Sequence, residues 1–158
     1  MKMNLQKLFE AQKKLDDRIV AEKGLQGQDL LDKKILALQV ELGELANELP
    51  EVFKFWSNKK NNYKKALEEY CDCLHFILSI GNDIGYRPNQ PKAIKKSSII
   101  EQFHEIFYLI ADLHYCSCID VSEFEIAGKY LEVFEFFLGL GEILGFTWEQ
   151  IKQTYFDK

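Results

Sequence analysis

The chain has 158 residues, 47% hydrophobic and 28% charged, enough for one globular domain with a sizeable core. Its net charge of −5 argues against nonspecific nucleic-acid binding. No run of about 18 apolar residues occurs, so no membrane-spanning helix is expected. The amphipathic start "MKMNLQKLFEAQKKLDDR" lacks the apolar stretch of a signal peptide. A cytoplasmic protein with reduced cysteines is the expectation, with no nucleic-acid and no membrane partner.

Almost the whole chain reads as helix, which predicts an all-α bundle of about six helices in a single domain over 1–158. A first helix is expected over about 4–21, with Leu5, Leu8, Phe9, Leu15 and Ile19 as its apolar stripe. "KGLQGQD" breaks it, and Asp29 can cap a second helix over about 30–48. The seam Leu31, Ile35, Leu38, Leu42, Leu45 and Leu49 has the 4,3,4,3,4 spacing of bundle packing. "FKFWSNKKNN" reads as a loop mixing aromatic and basic residues. A third helix, about 62–84, is polar only at His75 and Ser79 between Cys73 and Ile80, so it is expected at the centre. After the linker "YRPNQPK", Ser98 and Glu101 form a capping box for a helix over about 98–117. Another follows at about 121–144, and Thr147 with Gln150 opens a last one.

The acids carry the chemistry. Glu41 and Glu44 form one i,i+3 pair, Glu69 and Asp72 another, so each pair projects from one helix face. Residues 35–53 hold four glutamates and no lysine or arginine to offset them. Glu44 and Glu48 are a like-charge i,i+4 pair that a cation would relieve. Glu69 and Asp72 lead into the apolar stripe Cys73, Phe76 and Ile80, where an uncompensated charge is costly. An antiparallel hairpin can place all four carboxylates at one level. An all-oxygen set of this kind suits Mg2+, or Mn2+. The cysteines form two C-x-C pairs, Cys71/Cys73 and Cys116/Cys118. Residues i and i+2 on a helix point about 200° apart, so one pair cannot easily grip one ion, and buried thiols are expected.

An internal echo runs at an offset of about 60 residues. "FILSIGNDIGY" (76–86) parallels "FFLGLGEILGF" (136–146). Tyr70 meets Tyr130, Gly81 meets Gly141, and Gly85 meets Gly145. Of the acids, Glu41 meets Glu101 and Asp72 meets Glu132, but Glu44 meets His104 and Glu69 meets Lys129. This divides the chain into a catalytic half, 1–86, and a degenerate second repeat, 97–158, kept for packing.

"ELGE" (41–44) followed by "EEYCD" (68–72) resembles the ExxE…ExxD signature of the MazG-like all-α NTP pyrophosphatases. With "QKKLDDRI" (12–19), "FKFWS" (53–57) and "EEYCDCLHFILSIG" (68–81), the chain is similar to the dimeric all-α dUTPase family. The resemblance covers most of residues 5–86; the second half matches more loosely. It implies a MazG-like core, a homodimer, and hydrolysis of dUTP to dUMP and pyrophosphate. It implies that Glu41, Glu44, Glu69 and Asp72 hold Mg2+ and that Glu41 or Glu44 activates the attacking water. It places Gln12 and Asp16 at the base. Trp56, His75 and Phe76, with Phe53, would wall the uracil and sugar, and Asn82 would face the sugar. Lys158, in the family's last motif, and Lys59 would meet phosphate. The family pattern runs on past that motif into a tail with asparagine and arginine, whereas this sequence stops at Lys158.

Two alternatives are a housecleaning dNTP pyrophosphatase of other base specificity and a catalytically inactive helical interaction module. For self-association, the aromatic residues Phe103, Phe107, Phe134, Phe136 and Phe137 exceed what one small core obviously needs.

Overall fold

A computed structural model describes residues 3–158. Among them are seven helices and no strand: α1 (Leu5–Lys23), α2 (Leu31–Asn47), α3 (Pro50–Phe53), α4 (Tyr63–Ile84), α5 (Ile99–Ser117), α6 (Glu123–Ile143) and α7 (Trp148–Phe156). The all-α expectation holds. The additional element is the short α3, where Pro50 sits at a helix start that needs no N–H from it.

Local chemistry sets most boundaries. Asn4, Asn62, Ser98 and Ser122 each accept a hydrogen bond from a backbone N–H in the first turn of α1, α4, α5 and α6. Thr147 and Gln150 complete a capping box on α7. The box expected at α5 is half formed, because the Glu101 carboxylate accepts from Ser97 Oγ at 2.6 Å instead. Asp29 accepts from the Leu31 N–H at 3.0 Å, one residue ahead of the cap position Leu30. Glycine ends α1 and α4 in the left-handed region, at Gly24 and Gly85.

α4 is the axis. It packs against α1, α2, α6 and α7, while α5 pairs with α6 and touches α2. Its buried residues run from Ala66 through Tyr70, Leu74, Ile77 and Leu78 to Ile80, as expected of a helix apolar around most of its circumference. On α2 the buried seam is Ile35, Leu38, Leu42 and Leu45, continued by Leu49, with Leu31 half-buried. On α1 only Leu5, Leu8 and Phe9 of the expected stripe are buried. Leu15 is half-buried and Ile19 exposed, because both face a cleft.

The echoed residues exchange partners. Tyr70 on α4 donates to the Phe137 carbonyl of α6 at 2.9 Å, and Tyr130 on α6 donates to the Ile77 carbonyl of α4 at 2.7 Å. Each hydroxyl fills the space over a glycine of the facing helix: a Cβ at Gly141 would overlap the Tyr70 hydroxyl, and one at Gly81 the Tyr130 hydroxyl. The chain turns that follow are alike as well. Tyr86 N–H bonds the Gly81 carbonyl, and Phe146 N–H bonds the Gly141 carbonyl, both at 3.0 Å. Tyr86 then packs edge-on to Tyr130, and Phe146 edge-on to Tyr70.

The phenylalanines offered above as a sign of self-association are used inside the chain. Phe103, Phe134 and Phe137 are buried in the core, and Phe107 and Phe136 pack half-buried against it. Their number reflects a helix pair, α5 and α6, that needs bulk between its axes.

Gly141→Ala is expected to cost about 1–3 kcal/mol through forced displacement of Tyr70. Combined with Tyr70→Phe, the two losses should sum to less than their separate values in urea denaturation. Full additivity would mean that the hydroxyl and the glycine are not in the contact described.

Candidate active site

The antiparallel pair α2 and α4 brings the acids together. One oxygen each from Glu41, Glu69 and Asp72 lies within 4.8 Å of the others. All three side chains are half-buried. Glu44, one turn on, is exposed and outside that trio, and its carboxylate adjoins that of Glu41.

The electrostatics are unfavourable for three bare carboxylates. Burial, then the adjoining Glu44, Asp72 and Glu69 carboxylates, push Glu41 up to about 7. Glu69 is raised too, by burial first and then by Asp72 and Glu44, with Lys158 acting in the opposite sense. Glu41 Oε2 and Glu69 Oε2 are buried and have no hydrogen-bond partner. Orphaned carboxylate oxygens at this spacing match what an oxygen-seeking divalent cation requires. The cluster is therefore one that can hold such an ion. Lys158 stands beside it, its ammonium donating to Asp72 Oδ1.

A cleft of about 440 Å³ opens beside Asp72. Leu15, Ile19 and Phe76 supply apolar surface, Arg18 and Lys34 positive charge, and Gln12, Asp16, His75 and Ser79 a polar floor. The floor is one hydrogen-bonded unit. Gln12 is 3% exposed, and its Oε1 accepts from Tyr155 OH at 2.9 Å and faces His75 Nδ1 at 2.7 Å. Its Nε2 donates to Asp16 Oδ1 at 2.9 Å, and Ser79 Oγ donates to Asp16 Oδ2 at 2.6 Å. Because Gln12 Oε1 only accepts, the hydrogen bond requires a proton on His75 Nδ1. Burial is the first cause lowering the His75 pKa, which favours the neutral ring with Nε2 as an acceptor. Tyr155 of α7 stacks on His75 with ring centroids 4.1 Å apart.

Gln12, Asp16, His75, Phe76 and Lys158 thus line one cleft with Asp72. The structure does not bring Asn82, Trp56 or Lys59 to it. Asn82 is committed elsewhere, donating to the Phe9 carbonyl at 3.0 Å and accepting from Arg87 Nε at 2.8 Å. Trp56 is 67% exposed and packs on Phe53 and Phe55. Lys59 is exposed in the same loop. Ser79 and Tyr155 were not among the candidates. Ser79 had a legible signal, a lone polar residue one turn past His75; Tyr155 had none, since only folding brings α7 onto α4.

At the echo of this site no acid cluster forms. Lys129, the counterpart of Glu69, pairs with Asp112 at 2.9 Å.

An all-α bundle with convergent carboxylates beside a half-apolar cleft is an arrangement suited to metal-assisted phosphate hydrolysis. Comparison of sequences names the family: the model of the dUTPase family matches residues 4–158, and the chain belongs to that family. Hydrolysis of dUTP is the activity this membership carries, and dUTP diphosphatase is the enzyme class. No individually curated protein matches the chain significantly. No helix among the described residues is long and apolar enough to cross a membrane.

In the metal-free protein, Glu41 keeps its proton in the folded state up to pH of about 7 but loses it near 4.5 when unfolded. Folding therefore binds a proton in that window, and stability falls as pH rises through it. Denaturation in EDTA at several pH values should show this slope, and Glu41→Gln should flatten it. Parallel curves for the two proteins would contradict the placement of Glu41.

Proposed function

We propose that the chain hydrolyses dUTP to dUMP and pyrophosphate with Mg2+ held by Glu41, Glu69 and Asp72, and with Glu44 completing the acidic set. The observation that carries this reading is the pair of orphaned buried oxygens on Glu41 and Glu69. Mg2+ is favoured over softer ions because the donor set is all carboxylate, and Mn2+ fits the same chemistry. The bound ion supplies charge neutralisation for the phosphates and acidifies water.

The protein's own groups do the rest. The Glu41–Glu44 pair takes the proton of the attacking water, since one carboxylate of the pair reaches solvent while the other stays at the cluster. Lys158 leaves Asp72 for the substrate's phosphates, an exchange of one anionic partner for another. Phe76, Leu15 and Ile19 give the base an apolar wall and exclude water. Asp16 accepts the N3–H of uracil; cytosine presents a lone pair there and is repelled. Gln12, whose Oε1 meets Tyr155 and His75 and whose Nε2 donates to Asp16, positions Asp16 and His75.

A homodimer is proposed on a different surface from the one expected. Leu36 and Val40 on α2 and Tyr108 and Tyr115 on α5 are each more than half exposed, on two helices that touch. Apolar side chains on adjoining helices suit a self-complementary contact.

Glu44→Gln should lower kcat for dUTP about 100-fold or more with little change in KM, the scale of a lost general base. Asp16→Asn should instead narrow the preference for dUTP over dCTP. Pyrophosphate release assayed with and without Mg2+ reads both. Unchanged turnover in Glu44→Gln would overturn the assignment of the acid pair, and an unchanged dUTP/dCTP ratio would remove Asp16 from base reading.

A further inference from the structure

A second constellation lies away from the cleft, where the first turn of α2 meets the last turn of α5. Asp32, His114 and Cys118 each offer one ligand atom, all within 4.8 Å of one another. His114 Nε2 is 3.3 Å from Asp32 Oδ1 and 3.6 Å from Cys118 Sγ. A tetrahedral zinc ion has bonds of about 2.0–2.1 Å to nitrogen, about 2.0–2.2 Å to oxygen and about 2.3 Å to sulfur. The ligand edges that follow are roughly 3.3 Å for nitrogen to oxygen and roughly 3.6 Å for nitrogen to sulfur. Both edges at His114 Nε2 agree with them.

We propose that Asp32, His114 and Cys118 form a binding site for a thiolate-accepting transition-metal dication of the zinc class. The three donors come from two helices. His114 and Cys118 are i,i+4 neighbours and share a face of α5, and Asp32 reaches them from α2. Cys118 caps the end of α5 and is exposed, so the ion has access and the thiol can shed its proton to water on binding. Three protein ligands leave the fourth tetrahedral position to water. Mixed sulfur, nitrogen and oxygen donors select against Mg2+, which the all-oxygen cluster on α2 and α4 prefers. Cys116 takes no part, being buried in the core side of α5. The ion would staple the start of α2 to the end of α5, leaving the other end of α2, with Glu41 and Glu44, untouched.

Cobalt(II) is the probe, added to the metal-free full chain in excess Mg2+ so that the carboxylate cluster is occupied. The expected result is one cobalt per chain with a thiolate-to-cobalt charge-transfer band. Cys118→Ser should abolish the band, and Cys116→Ser should leave it. Asp32→Asn and His114→Gln should weaken zinc binding at least about tenfold in competition with a chromophoric chelator. Circular dichroism confirms that each variant is folded. A wild-type protein without the band, or a band that survives in Cys118→Ser, would overturn the site and leave Asp32 and His114 as a surface hydrogen-bonded pair.

Discussion

The reciprocal tyrosine–glycine contact between α4 and α6 is the constraint on which the remaining architecture rests. Two fully buried phenols can exist there only because each hydroxyl finds a backbone carbonyl on the opposite helix. The helices can approach that closely only because glycine stands under each hydroxyl. This pins α4 at a fixed distance and register to α6. With one side of α4 fixed, its other faces are left for α1, α2 and α7, and these are the helices that build the cleft.

The acid cluster is the opposite kind of contact. It adds nothing to the stability of the metal-free fold: half-buried carboxylates crowd one another, and two of their oxygens lack partners. The leucine seam of α2 against α4 holds the two helices in register despite this repulsion. A strained, highly acidic point on a well-packed scaffold is a common condition of sites whose missing charge arrives with a ligand. Lys158 moderates it from the end of α7, a helix that also contributes Tyr155 to the polar floor. The acid cluster and the polar floor of the cleft are thereby joined through one short helix.

Much of the site was readable from spacing. The i,i+3 acids on α2 and α4, the central position of α4 and the polar face at Asp72, His75 and Ser79 all follow from helical periodicity. What spacing could not reveal was which polar atoms are already spent. Asn82 sits on the same helix as His75, yet its amide is consumed by Phe9 and Arg87. Trp56 and Lys59 belong to a loop whose direction no periodicity encodes. The phenylalanines of α5 and α6 were legible as apolar but not as inward-facing. The cysteines show the same limit: neither C-x-C pair can chelate, as the helical angle dictates, but Cys118 finds a histidine one turn away and an aspartate from another helix.

The sequence by itself determined the all-helical class, the helix boundaries to within a few residues and the two acid pairs. Each of these is a local property, set by capping side chains and a 3.6-residue period that act over a few positions. Only the tertiary structure decided that Glu44 stands apart from the trio Glu41, Glu69 and Asp72, that Gln12 ties His75, Asp16 and Tyr155 into one unit, and that the echoed tyrosines cross to each other's helices. These depend on contacts between residues up to 143 positions apart, whose geometry is fixed by side-chain packing and not by any pattern along the chain.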